Sequence, residues 1–79
     1  MTTTKSDNAK KAVLHGLGAR IKEARMRRGA TQADLADKLD ISVAYLSLIE
    51  RGGRNPPITT FLAVARALGV SAGVLAEDD

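Results

Sequence analysis

Residues 31–52, TQADLADKLDISVAYLSLIERG, carry two short apolar periods separated by a break at Asp40, and the fold turns on them. In Thr31-Gln32-Ala33-Asp34 a hydroxyl can accept from the amide three residues on while an acid reaches back to the cap, so a helix starts here. This helix buries Leu35, Ala36 and Leu39 and stops at Asp40, a residue type that tolerates left-handed backbone better than most non-glycines. Ser42 caps a second helix whose inner stripe is Leu46 and Ile49, and Gly52-Gly53 closes it. Two short helices joined by a turn of about three residues pack nearly at right angles. Leu35, Leu39, Ile41, Leu46 and Ile49 supply the apolar set this crossing needs, and Ala36 marks the closest approach, where a larger side chain would push the helices apart.

Upstream, Leu14, Leu17, Ile21 and Ala24 recur at helical spacing from Val13 on, with Arg20, Lys22, Arg25, Arg27 and Arg28 on other faces and Gly29 as the C-terminal cap. Residues 1–11 (MTTTKSDNAKK) lack an apolar period and read as a flexible basic arm carrying Lys5, Lys10 and Lys11. Downstream, Arg54-Asn55-Pro56-Pro57 is a linker, because proline lacks an amide proton and pushes its predecessor out of helical backbone. A fourth helix follows with Ile58, Phe61, Leu62, Ala65 and Leu68 facing inward and Gly69 at its end. Ser71 caps a short fifth helix holding Val74 and Leu75. The organisation is an arm over 1–11, one domain over 12–76 and an acidic tail over 77–79.

Composition narrows the function. The chain has 79 residues, no cysteine, no tryptophan, and one each of histidine, tyrosine and phenylalanine. One small core of leucine, isoleucine, valine and alanine must hold it, without disulfide or cysteine-zinc support. All-α architecture fits best. Twelve Lys and Arg oppose nine Asp and Glu, a net charge of +3. Setting aside Glu77, Asp78 and Asp79 leaves twelve against six, or +6, a balance suited to a polyanionic partner. No apolar run approaches the roughly 20 residues of a membrane span, and no signal core opens the chain, so a cytoplasmic protein with no membrane contact is expected. His15 reads as a surface residue of helix one, and a lone histidine without cysteines makes no metal site. With no phosphate-cradling glycine loop and no carboxylate pair around a cleft, the chain is read as neither an enzyme nor a cofactor binder.

Four stretches resemble one family in order and spacing: Ile21-Lys22-Glu23-Ala24-Arg25, Thr31-Gln32-Ala33-Asp34-Leu35-Ala36, Tyr45-Leu46-Ser47-Leu48-Ile49-Glu50-Arg51-Gly52 and Ala65-Arg66-Ala67-Leu68-Gly69-Val70. The chain is similar, over roughly Leu17 to Leu75, to the phage repressor and Cro-like regulators, often called XRE-type. That resemblance implies a compact bundle of about five helices with a helix-turn-helix at helices two and three. It also implies sequence-specific binding of double-stranded DNA, usually by a homodimer on a pseudo-palindromic operator, in the cytoplasm of a bacterium or on a phage or bacterial nucleoid.

The same resemblance assigns roles. Gln32 would sit against a phosphate with its backbone amide, and Thr31 would add a second contact. Arg25 and Glu50 would form an ion pair bracing the recognition helix, with Arg25 also near phosphate. Arg51, Arg54 and Asn55 would meet the sugar-phosphate backbone or the minor groove, and Thr59 and Thr60 another phosphate. Tyr45 reads two ways: a hydroxyl reaching DNA, or half-buried packing. Base-facing positions are Ser42, Val43, Ala44, Ser47 and Leu48, none of them suited to bidentate base contacts. Val43, Ala44 and Leu48 can meet thymine methyls and the serines can bond several bases, unless Val43 or Leu48 packs inward. DNA shape would then carry part of the specificity. Two departures from the family stand out: Ala30 replaces a larger apolar residue, and Pro57 replaces the usual serine cap. A dimer would use Val70, Val74, Leu75 and the end of helix four, with recognition helices about 34 Å apart. The rival reading is an antitoxin-like interaction module that binds a protein partner as well as its own operator, using the arm or the tail.

Overall fold

The computed structural model describes residues 5–76, with side chains from 12 to 76. Five helices follow one another: α1 Lys5–Arg27, α2 Gln32–Leu39, α3 Val43–Glu50, α4 Ile58–Leu68 and α5 Ala72–Ala76. No strand occurs among the described residues, and no helix there is long and apolar enough to cross a membrane.

Helix ends obey the local chemistry of the sequence. Thr31 Oγ1 accepts from the Asp34 amide at 3.0 Å, and Asp34 Oδ2 accepts from the Thr31 amide at 2.9 Å. Two of the four amides orphaned at a helix start are thereby satisfied reciprocally. Asp40 takes left-handed backbone, φ 56° and ψ 44°, and reverses the chain between α2 and α3. Ser42 Oγ accepts from the Tyr45 amide at 3.0 Å, and Ser71 Oγ from the Val74 amide at 3.1 Å. Pro57 opens α4 without any side-chain cap, as the missing serine implies.

Helix α1 is longer than its apolar period. Its first turns, Lys5 to Ala12, precede Val13, where the sequence places the start. A stretch free of glycine and proline can prolong an existing helix without any apolar period, and Lys5 to Ala12, KSDNAKKA, is such a stretch. The rest of the expected arm, residues 1–4, and the acidic tail 77–79 lie outside the described residues.

The core is Ile21, Leu35, Ala36, Leu46, Ile49, Val64, Ala65, Leu68 and Leu75, with Leu17, Ala24, Leu39, Ile41, Tyr45 and Phe61 packed around it. Two expectations for α4 fail, since Ile58 is 67% and Leu62 48% exposed. The inner stripe runs instead through Phe61, Val64, Ala65 and Leu68, a clean three-and-four spacing, and Leu62 lies one residue round the helix from Phe61. Ile58 opens the helix and sits at its rim. Leu75 is also corrected: at 1% exposure it closes the core between α1 and α4 and cannot itself touch a partner. Its carbonyl accepts from Arg20 Nε at 2.8 Å. Val74, its neighbour, is exposed.

Helix α1 meets the end of α3 backbone to backbone. A methyl group at residue 18 would lie 2.3 Å from the Ile49 carbonyl oxygen and 2.5 Å from that of Glu50. One turn earlier, Gly52, at φ 79°, approaches the α1 backbone so closely that a Cβ would sit 2.7 Å from the His15 Cα. Only glycine permits this approach.

Two outcomes follow from the fold. In an ordinary helix interior, alanine is more stable than glycine by roughly 1 kcal/mol. Gly16→Ala, whose added methyl meets nothing closer than 3.4 Å, is expected to raise the urea midpoint by about that much. Gly18→Ala is expected to lower stability by about 1–3 kcal/mol, because α1 and α3 must separate. The Asp34 carboxyl supplies the second test, because the Thr31 backbone amide, then the Thr31 hydroxyl, holds it below its usual value. A depressed carboxylate contributes stability that is full above its unfolded pKa, about 3.9, and is lost as pH falls through the folded value. The difference in melting temperature between wild type and Asp34→Asn should therefore be present at pH 7 and shrink below about pH 4.

Candidate nucleic-acid interface

The second helix of the pair, α3, is held at one end and bare at the other. Leu46 and Ile49 anchor it in the core, and Glu50, its last residue, is buried. At its start Ser42, Val43 and Ala44 are exposed, Val43 by 45%. Ser47 and Leu48, one turn on, are half-buried, and a Leu48 δ-carbon lies against Gly53. Tyr45 is half-buried and packed against the core, so its geometry matches the packing alternative.

Glu50 accepts three side-chain hydrogen bonds. Arg25 Nε donates to its Oε2 at 2.8 Å and Arg25 Nη2 to its Oε1 at 3.0 Å. Gln32 Nε2, half-buried at the start of α2, donates to the same Oε1 at 3.1 Å. Arg25 Nη1 in turn donates to the Ala30 carbonyl at 2.9 Å. The pair is desolvated, with side-chain exposures of 10% for Arg25 and 2% for Glu50. Hydrogen bonding to Glu50 pushes the Arg25 pKa further up against the cost of burial, so the guanidinium stays charged at any pH at which the domain folds. Among the described residues no buried side-chain polar atom lacks a partner.

This cluster sharpens two expected contacts. Arg25 spends three of its five donors inside the protein, so its geometry is that of a brace for α3 more than of a phosphate ligand. Gln32 is oriented by chemistry, because a carboxylate only accepts and therefore fixes the amide with Nε2 toward Glu50. One Nε2 hydrogen remains, on the residue that opens α2. No spacing in the sequence signals that bond, since the partners are 18 residues apart on different helices.

The remaining candidates lie in the segments before and after α3. Thr31, Arg51, Arg54, Asn55 and Thr59 are exposed, and Thr60 is half-buried. Arg51 folds back, its Nε donating to the Ser47 carbonyl at 3.3 Å. At the opening of α4, Pro57 offers no side-chain acceptor, which leaves the first amides of that helix without a side-chain cap. His15 is exposed on α1, beside Gly52. Among the described residues no group of acids and histidines could hold a metal ion.

Two short helices crossed through a left-handed turn, the second exposing its first turn and locked at its last, define a helix-turn-helix module. The chain belongs to the helix-turn-helix family, whose model matches residues 21–75, and within it to the phage repressor and Cro-like, or XRE-type, transcriptional regulators, which are not enzymes. It is 41% identical over 63 residues to the immunity repressor protein of Bacillus phage phi105, covering 80% of this chain and 44% of that one. The chain thus spans under half the length of that relative. Among solved structures, the restriction-modification controller protein C.AhdI from Aeromonas hydrophila superposes with a TM-score of 0.77 at 33% identity, covering 81% of this chain and 97% of that chain. SinR, a regulator of Bacillus subtilis, solved in complex with DNA, gives 0.72 at 37% identity over 77% and 98%.

The ion pair makes a direct test. Removing one partner of a buried pair strands the other charge and costs about 3–5 kcal/mol, most of the stability of a small domain. Glu50→Ala and Arg25→Ala should each show that loss in urea unfolding. The double change Arg25→Met, Glu50→Leu strands no charge, only the part-buried Gln32 amide and Ala30 carbonyl, and should lose distinctly less than either.

Proposed function

We propose that this chain is the DNA-binding unit of a transcriptional regulator, acting as a repressor, and that it inserts the start of α3 into the major groove of a pseudo-palindromic operator. The observation that carries this reading is the polarity of α3: its last turn is locked by Arg25, Gln32 and the core, while Ser42, Val43 and Ala44 stand free at its first turn. A recognition helix needs that division, because base edges are read by the N-terminal residues of a helix whose register other contacts hold.

Those other contacts are available around it. The Gln32 amide and its free Nε2 hydrogen, the Thr31 hydroxyl, and the uncapped α4 start with Thr59 and Thr60 present donors to phosphate. Arg54 and Asn55, exposed in the segment after α3, and the terminal nitrogens of Arg51, whose Nε is held by the Ser47 carbonyl, are the donors for the sugar-phosphate backbone. Arg25 acts through Glu50 rather than by reaching DNA. A homodimer forms through Val70 and Val74 at the α4–α5 corner, without Leu75, and sets the two recognition helices about one helical turn, ~34 Å, apart.

Fluorescence anisotropy with duplex DNA at several salt concentrations tests the reading. Affinity should fall steeply with salt through counterion release, and Arg54→Ala should reduce the slope of log K against log salt by about one. Gln32→Ala should weaken specific and random duplexes alike, whereas changes at Ala44 or Ser47 should alter which sequence is preferred. A folded sample that ignores duplexes in dilute buffer would overturn the reading. Val74→Asp should give a monomer in sedimentation with unchanged helicity and weaker operator binding. Unchanged association would remove the dimer surface.

A further inference from the structure

The surface at the start of α3 is defined by what it lacks. From Ser42 to Leu48 it holds no arginine, lysine, asparagine, glutamine or acid, and its freely exposed side chains are Ser42, Val43 and Ala44. The polar groups nearest that surface are partly engaged, Arg51 Nε by the Ser47 carbonyl and one Gln32 Nε2 hydrogen by Glu50, Tyr45 packs against the core, and the exposed Arg54 and Asn55 lie beyond α3. The Ser42 hydroxyl accepts from the Tyr45 amide, which leaves it one O–H to donate and a second lone pair to accept.

In the major groove only one base feature rewards an aliphatic side chain, the C5-methyl group of thymine. Cytosine methylated at C5 carries the same methyl at the same place. The two bases differ in the neighbouring group, a carbonyl acceptor on thymine and an amino donor on the cytosine. Telling them apart takes a side chain of fixed hydrogen-bond sense. A valine or an alanine has none, and a serine hydroxyl turns to serve either.

We propose that α3 reads operator DNA chiefly through base methyl groups, so that 5-methylcytosine substitutes for thymine at the positions facing Val43 and Ala44. The inference rests on the groove-binding reading above and deepens it by naming the chemical feature that is recognised. It makes binding responsive to cytosine methylation: a site with cytosine at such a position is weak until methylated. Leu48 adds a smaller share, being half-buried against Gly53.

The test begins with a preferred duplex selected from random sequence. Each thymine in the half-sites is then replaced in turn by uracil, which removes the methyl alone, by cytosine, and by 5-methylcytosine, the last two with guanine opposite. Burial of one methyl group corresponds to about a fourfold change in affinity. Uracil should bind about fourfold more weakly than thymine at the contacted positions, and 5-methylcytosine about fourfold more tightly than cytosine. With Val43→Ser, an exposed change that spares the core, thymine and uracil should bind alike at the position facing residue 43, with other positions unaltered. Equal binding of thymine and uracil throughout a tightly bound duplex would overturn the inference while leaving the groove-binding reading intact. So would a thymine preference that neither Val43→Ser nor Ala44→Gly diminishes, since the methyl would then act through DNA shape. Failure to bind any duplex would overturn both.

Discussion

The carboxylate of Glu50 is the point on which the structure depends. It closes α3 at the end where the helix dipole already carries partial negative charge, and it is buried. An anion so placed is costly unless donors surround it. Arg25 from α1 and Gln32 from α2 provide three, and Arg25 also holds the carbonyl of Ala30 in the connection between those helices. One side chain thus ties α1, α2 and α3 into a single geometry. Ion pairs of this kind add little net stability over apolar packing, but they are directional, and direction is what a helix offered to DNA requires.

The brace works only because α1 comes close. Gly18 and Gly52 remove the side chains that would hold α1 away from the last turn of α3, and the arginine seven residues beyond Gly18 then reaches Glu50 in bidentate geometry. Backbone contact at one end of α3 and a hydrogen-bonded knot beside it leave the other end free. In the proposed function, anchoring and reading fall to opposite ends of eight residues. In the proposed complex the start of α3 can therefore vary in sequence without disturbing the core, and its methyl-bearing surface is one outcome of that freedom.

Much of this was legible in the residues. Capping at Thr31-Asp34 and Ser42, the reversal at Asp40 and the glycine stops are local chemistry and appear where the sequence places them. The Arg25–Glu50 pair followed from resemblance to a family, not from spacing. What escaped was three-dimensional. Leu62 and Val64 are both apolar and two residues apart, so only the packed bundle decides which turns inward. Leu75 and Val74 present the same ambiguity on a five-residue helix. Glycines in a helix look like weak points until the neighbouring backbone is seen, as at Gly18. The start of α1 at Lys5 is not legible because apolar periodicity begins only at Val13.

Amide chemical-shift mapping of the labelled protein against its selected duplex tests the central claim most directly, since it asks which end of which helix meets DNA. The account predicts that the largest changes fall on Gln32, Val43, Ala44 and Ser47, with Arg54 and Thr59 behind them, while Val13, Met26 and Val74 stay near their free positions. Shifts gathered on the α1 and α5 surfaces, with the start of α3 unmoved, would contradict it.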